Sequence, residues 1–510
     1  MDNKALKTGV YFNENIFNEI CEQPIDVDFT LPDFCPDISK IFKCKATARV
    51  TSKSVNGKNV TVEGNVCITL LYCDSDKKLC SYEYLYPFSK IKEMPVEAEN
   101  CSITCCVKCD YINCRAVTGR KVDIHGAVSL NIRVFARKSN EIICDYDGDN
   151  VQLKRAIAPA TVPMGYREKP IIVEDEINIG SAQEPILSIL RYDAVPCVSE
   201  CKVINDKIVV KGEMAVNILY NADTVKLPQV VKTTIPFSQI VEMSGVTDEC
   251  KCDVKSEICS LEIKPIASLG GECRTFMINA KVMLKCESFC VNDIPVIEDA
   301  FSTKFETTVT RNKLTFERIC ENIKENCHIK KNIELSENLS SVIDIWCELG
   351  SQKVRFEKGN MCLSAVFLVG LVVCDQEDNV SFCEKPIDFE WNYPLDCDSS
   401  QLYFNPEIEI CAVNYTILSA NCLELRIELS INGAIYEKSN IELLTDMLVD
   451  TKMPSKSSKK GGMVICFTNN GSCVWDVARK YNASIDEIMA INGLNEDDIR
   501  DKKMILVPIN

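Results

Sequence analysis

A chain of 510 residues, at the usual ~150 residues per domain, is multi-domain, and 46% apolar residues are enough to bury several cores. Its formal charge of −17 argues against binding a phosphate backbone, which takes clustered lysine and arginine. The first ten residues lack an apolar core of signal-peptide length, and the longest apolar stretch, 365–374, is too short for a bilayer, so a protein of the reducing cytoplasm is expected.

The chain opens on F-N-E-I-C-E at 17–22, which returns as F-E-R-I-C-E at 316–321. Phe29, Leu31, Ile38 and the pair Ile41-Phe42 follow. Ile177, Ile179 and Ile189-Leu190 repeat this spacing at a step of 148, and Ile333, Leu335 and Ile345-Trp346 at a step of 304. Each unit is therefore expected to begin with an extended segment and a short apolar turn or helix.

The strand that organises each unit comes next. In 62–74, Val62, Gly64, Val66, Ile68 and Leu70 alternate with Glu63, Asn65, Cys67 and Thr69. A period of two marks a half-buried β-strand. Val210, Gly212, Met214, Val216, Ile218 and Tyr220 copy it at the step of 148, and 363–375 is a weaker third copy closing on Cys374-Asp375. After it, P-F-S-K-I-K-E-M at 87–94 matches P-F-S-Q-I-V-E-M at 236–243, where proline and serine suit an edge strand and Phe88 and Ile91 are expected to point inward. Unit three lacks this phrase around 389–394. Alternating segments 124–134, 278–286 and 423–431 close the units.

These signals, with turns such as Asn56-Gly57, predict a mainly β protein of three sandwich- or barrel-like units, 1–150, 151–305 and a diverged 306–450. Residues 451–462, T-K-M-P-S-K-S-S-K-K-G-G, read as a flexible tether before a small α+β tail, 463–510. In the tail, Val474, Val477, Ala478 and Tyr481 fall at helical spacing. Ser484 with Glu487 is a capping box for a second helix, Asn492-Gly493 ends it, and 504–508 returns as a strand.

The 31 cysteines are an odd count in a chain too large for a disulfide-stapled scaffold. Many occupy alternating strand positions, as Cys67 and Cys106 do, and are expected to pack reduced as small hydrophobes. Cys101, Cys105, Cys106, Cys109 and Cys114 cluster, but only Cys106 and Cys109 have C-x-x-C spacing, and no second pair completes a zinc site. His125 and His328 sit in no triad or metal pattern. No cofactor, metal or catalytic residue is expected, and the chain is expected not to be an enzyme.

Residues W-D-V-A-R-K-Y at 475–481, S-I-D-E-I-M-A-I-N-G-L at 484–494 and I-L-V-P at 505–508 resemble a LysM domain. The resemblance implies binding through the loop after the first strand and the loop after the second helix: Gly471, Ser472, Cys473, Val474 and Trp475 on one side, Asn492, Gly493 and Leu494 on the other. The family binds N-acetylglucosamine polymers with a common G-D-[ST] in the first loop, here Gly471-Ser472-Cys473, and a frequent P-G-Q before the last strand, here Asp501-Lys502-Lys503; both departures weigh against sugar binding. Trp475 reads either as partly core or as an interface anchor. Three β units, two with P-F-S-x-I-x-E-M, then a tether and LysM, resemble the SPOCS-plus-LysM spore-coat morphogenetic proteins of clostridial spore formers. That resemblance implies a scaffold of the mother-cell cytoplasm and later the coat around the forespore, whose LysM domain binds the coat ATPase SpoIVA and which meets other coat proteins. A peptidoglycan-binding wall protein is the alternative.

Overall fold

A computed structural model describes residues 4–97, 101–148, 150–222, 227–267, 271–336, 338–357, 359–377, 379–395, 401–455, 462–467, 473–494 and 504–509. Unit one contains β1 (Lys4–Thr30), β2 (Lys40–Asn56), β3 (Asn59–Cys73), β4 (Leu79–Glu93), β5 (Cys101–Ala116) and β6 (Lys121–Asp147). They form two antiparallel three-stranded sheets, β1-β6-β5 and β2-β3-β4. Val62, Val66, Ile68, Leu70 and Tyr72 from β3 meet Val122, Ile124, Leu130 and Ile132 from β6 in one core. The alternation of β3 therefore makes the inner face of a sandwich. The described sheets are open, not closed barrels.

Unit two repeats this order with β7 (Val151–Asn178), β8 (Ile186–Ile204), β9 (Lys207–Ala222), β10 (Gln229–Glu242), β11 (Lys251–Ala267) and β12 (Cys273–Ser302), in sheets β10-β9-β8 and β11-β12-β7. Unit three has β13 (Phe305–Glu334), β14 (Ser341–Glu357), β15 (Asn360–Cys374), β16 (Val380–Pro394), β17 (Leu402–Phe404), β18 (Glu407–Ser419) and β19 (Cys422–Pro454). Its sheets are β14-β15-β16 and β13-β19, with β17 and β18 both paired to β19. The third unit is thus the same sandwich despite its weaker sequence match.

Glycine has a steric role in the first two units. A Cβ on Gly64 would lie 2.3 Å from the Arg49 carbonyl oxygen and 2.5 Å from the Phe88 ring, and one on Gly212 would meet Cys197 and Phe237 at the same distances. The P-F-S phrase is an edge strand whose phenylalanine caps that glycine. Ile91 does not point inward as expected: it is 62% exposed, because alternation from buried Phe88 sends it to the other face.

The segment joining the first two strands is a turn in unit one, and it is shorter in unit three. Leu31 and Ile38 donate to the carbonyls of Arg120 and Gly119, while Leu335 and Leu339 donate to those of Asn421 and Ala420. The same span is crossed with three fewer residues. Val342-Ile343, not Ile345-Trp346, consequently occupies the place of Ile41-Phe42, since Ile41 faces Tyr72 and Val342 faces Val373.

The units pack around a pseudo-three-fold axis. Equivalent residues Phe42, Leu190 and Ile343 share one apolar cluster with Leu71, Leu219 and Val372 and with Leu79, Leu227 and Val380. This buries Leu71 and Cys67, on the face of β3 that alternation alone assigns to solvent. Lys43, Arg191 and Asp344 also occupy equivalent positions, opposite Leu71, Leu219 and Val372. Three like charges there would repel. Instead the three differ and pair: Arg191 Nη2 reaches Asp344 Oδ2 at 2.6 Å, both buried, while Lys43 pairs with Glu384.

The closing strands run well past their sequence signals. β6, β12 and β19 extend with β1, β7 and β13 as two-stranded ribbons beyond the sandwiches, and the ribbons join in a stem. Equivalent Ile142, Val296 and Leu443 form one apolar layer there, and Ile143, Ile297 and Leu444 the next. The first four residues of the expected tether, 451–454, are the end of β19, with Pro454 opposite Phe305. Ser455 donates to the Lys304 carbonyl and Gly462 begins the next strand, while 456–461 lie outside the described residues.

Candidate functional site

At the ribbon tips each strand carries one extra residue: Cys144, Glu298 and Thr445. A bulge re-aims the next side chain. That side chain is an aspartate in all three, Asp145, Asp299 and Asp446, and each pairs with a base on the following unit. Asp145 takes Arg155 at 2.6 Å, Asp299 takes Arg311, and Asp446 takes Lys7 at 3.5 Å, closing the ring. The Arg155 guanidinium holds the Asp145 carboxyl below the usual carboxylate range.

The tail module uses one of these three sites. It consists of β20 (Gly462–Phe467), α1 (Val474–Tyr481), α2 (Ile485–Asn492) and β21 (Met504–Ile509), with β20 and β21 antiparallel. The expected strand, helix, helix, strand order is present. The Ser484 hydroxyl accepts from the Glu487 N–H, and Gly493 ends α2 at φ +60°.

Trp475 lies in the module's core, only 4% exposed, with its ring edge-on to Phe301 of β12 at 5.1 Å. Its indole Nε1 donates to Asp299 Oδ2 at 3.0 Å, and Arg479 of α1 pairs with the same carboxylate. The Ala300 N–H donates to Asp299 Oδ1 at 2.9 Å. Nearby, the Ile485 N–H reaches Gln152 Oε1 at 3.4 Å. Asp299 is thus a buried carboxylate with its acceptors filled, joining the tail to units two and three. Phe301 explains the choice of site, because Asp147 and an exposed Leu448 stand at the corresponding places two residues after Asp145 and Asp446.

The other sequence-chosen residues divide. Gly471 and Ser472 lie outside the described residues, as do Asp501, Lys502 and Lys503. Val474 is fully buried, and Trp475 is a buried intramolecular contact rather than an exposed anchor, because α1 turns that face toward both the domain core and β12. Asn492 is a structural clip: its amide donates to Leu506 O at 2.7 Å and accepts from Leu506 N at 2.8 Å. Cys473 caps α1, half-buried, with its thiol 3.1 Å from Asp476 Oδ2. Gly493 is exposed and Leu494 packs partly on the core. Cys473 and the Gly493 turn are the described members that reach the surface. Sequence reasoning missed Asp299, Phe301, Arg311 and Arg479, since nothing local to β12 signals a distant tryptophan.

The C-x-x-C pair does not converge. On β5, Cys105 and Cys109 face the core and Cys106 faces out, so Cys106 and Cys109 point to opposite sides of the sheet. Burial pushes the Cys105 thiol up to about 12. His125 sits on the outer face of β6, 3.2 Å from both Asp26 and Asp123.

Residues 37–118 and 185–266 match the family model described as SipL, SPOCS domain, and 469–508 match the LysM domain model. The first two segments run from β2 to β5 and from β8 to β11, the parts of units one and two that precede their closing strands. No curated protein and no solved structure matches the chain. No described helix is long and apolar enough to cross a membrane. With two SPOCS-matched units, a third unit of the same sandwich and a terminal LysM module, the chain has the SipL-like architecture.

Proposed function

We propose that this chain is a spore-coat morphogenetic scaffold, working from the mother-cell cytoplasm, that binds the coat ATPase SpoIVA through its LysM module and tethers the coat to the forespore surface. The observation that carries this reading is the fusion of SPOCS-matched units and LysM into one body, with Trp475, Arg479 and Asp299 fixing the module on the ribbon stem. A scaffold gains from such a joint, since a docked module costs less entropy on binding than a loose one. The departures at 471–473 and 501–503 from the sugar-binding pattern support a protein partner.

The partner-facing residues on this reading are the half-buried Cys473 and the exposed Gly493 turn, rather than the Trp475 face. The test compares the full chain with one ending at Ser455, against immobilised SpoIVA and against chitin oligomers or peptidoglycan. Saturable SpoIVA binding by the full chain alone supports the scaffold. Saturable glycan binding without SpoIVA binding replaces it with a wall-binding protein.

A further inference from the structure

Along one side of the second sandwich the edge strands β8 and β11 run next to each other without sharing a ladder. Cys201 of β8 and Cys252 of β11 meet across this seam. Cys201 Sγ lies 3.7 Å from the Cys252 carbonyl oxygen, and the two thiols are within hydrogen-bonding reach of each other. Unit one shows that the seam itself sets this geometry: the residue equivalent to Cys201 is Lys53, whose ammonium donates to the Ile103 carbonyl at 2.8 Å. Unit two carries a thiol on both sides instead.

The pair is reachable. Both cysteines are half-buried and line an open cleft of about 580 Å³ with Lys202, Asp248, Lys251 and Asn322. Hydrogen bonding from the Cys252 thiol, assisted by the Lys324 ammonium, outweighs burial and the neighbouring Asp253 and Glu200, and brings the Cys201 thiol down to about 7. A thiol so lowered is more readily the nucleophilic thiolate than its buried neighbours. Cys286, deeper in the same unit, is pushed up to about 12 by burial and stays inert.

We propose that Cys201 and Cys252 form an oxidisable dithiol site that accepts a small-molecule disulfide and closes into a protein disulfide stapling β8 to β11. The Cys201 thiolate attacks one sulfur of the oxidant, whose S–S bond breaks, and the released thiolate takes a proton from water. Cys252 then loses its proton to solvent and attacks Cys201 Sγ, expelling the second small thiol. The protein dithiol loses two electrons and the oxidant gains them. The staple would join two strands that the backbone hydrogen bonds leave unconnected.

Glutathione disulfide added to the reduced full chain at pH 7.5 tests this, with non-reducing peptide mapping over time. Expected is a Cys201–Cys252 cross-link ahead of any other, a trapped glutathione adduct on Cys201 in Cys252→Ser, and neither product in Cys201→Ser. In the unmutated chain, Cys201 should alkylate with iodoacetamide at least ten times faster than Cys286. A cross-link between neighbouring Cys250 and Cys290 in its place, or a Cys201 no faster than Cys286, overturns the proposal.

Discussion

Asp299→Ala removes the carboxylate that holds the LysM module to the stem. Three donors from other elements converge on it: Arg311, Arg479 and the Trp475 indole. A hydrogen bond to a charged group is worth ~1.5–3 kcal/mol when buried. The arginines, however, have 31% and 42% of their side chains exposed and rehydrate, so each contributes roughly 1 kcal/mol or less. The buried indole N–H loses its Asp299 acceptor, at ~1–3 kcal/mol. Arg311 belongs to unit three, so the two tail donors set the docking term: about 1–4 kcal/mol, which lowers the docking equilibrium roughly 5- to 1,000-fold. Hydrogen exchange should then rise in α1 and in the last turn-ward residues of β12, while β3, β9 and β15 keep their protection. Asp446→Ala, at the equivalent bulge of unit three, should leave the tail protected. Unchanged exchange in α1 after Asp299→Ala would refute the docking argument, as would exchange rising equally through all three sandwiches.

Asp344→Ala should lower the urea midpoint of the joint between units two and three by an amount equal to about 3 kcal/mol or less, because the buried Arg191 guanidinium keeps only the partly exposed Asp193 as partner, and adding Arg191→Met should recover much of that. Gly64→Ala and Gly212→Ala should each cost ~1–3 kcal/mol in thermal or urea unfolding, since a backbone carbonyl stands where the methyl would go. Acid should loosen the contact between units one and three. Burial raises the Glu348 pKa, but Lys45 at 2.8 Å, with Lys43 and Arg191, outweighs it and leaves the group below its ordinary value of 4.5. A lowered carboxylate stabilises fully above its unfolded value and loses that stability as pH falls through its folded value. Unfolding followed from pH 7 to pH 3 should therefore show a loss confined below about 4.5 that Lys45→Met flattens.

The repeated β unit was legible because alternation is local and the step of 148 keeps register between units one and two. Unit three was legible in kind but not in register, since a turn shortened by three residues moves Val342-Ile343 into the place that spacing gave to Ile345-Trp346. The stem was not legible. Past Val134 the inward face is set by bulges and by ribbons from other units, so nothing local marks Asp145, Asp299 and Asp446. The tail's helices and caps followed from periodicity and the Ser484 box. Trp475 stayed ambiguous because its hydrogen-bond acceptor is 176 residues away. The thiol pairing of Cys201 with Cys252 was hidden for a related reason: it depends on two edge strands meeting, which strand patterning does not report.

The reading as a coat scaffold is tested most directly by imaging a fluorescent fusion of the chain in sporulating cells, with and without residues 463–510. A scaffold should give a shell around the forespore that disperses into the mother cell when the LysM module is removed. An even signal along the cell wall, or a forespore shell indifferent to loss of the module, would contradict it.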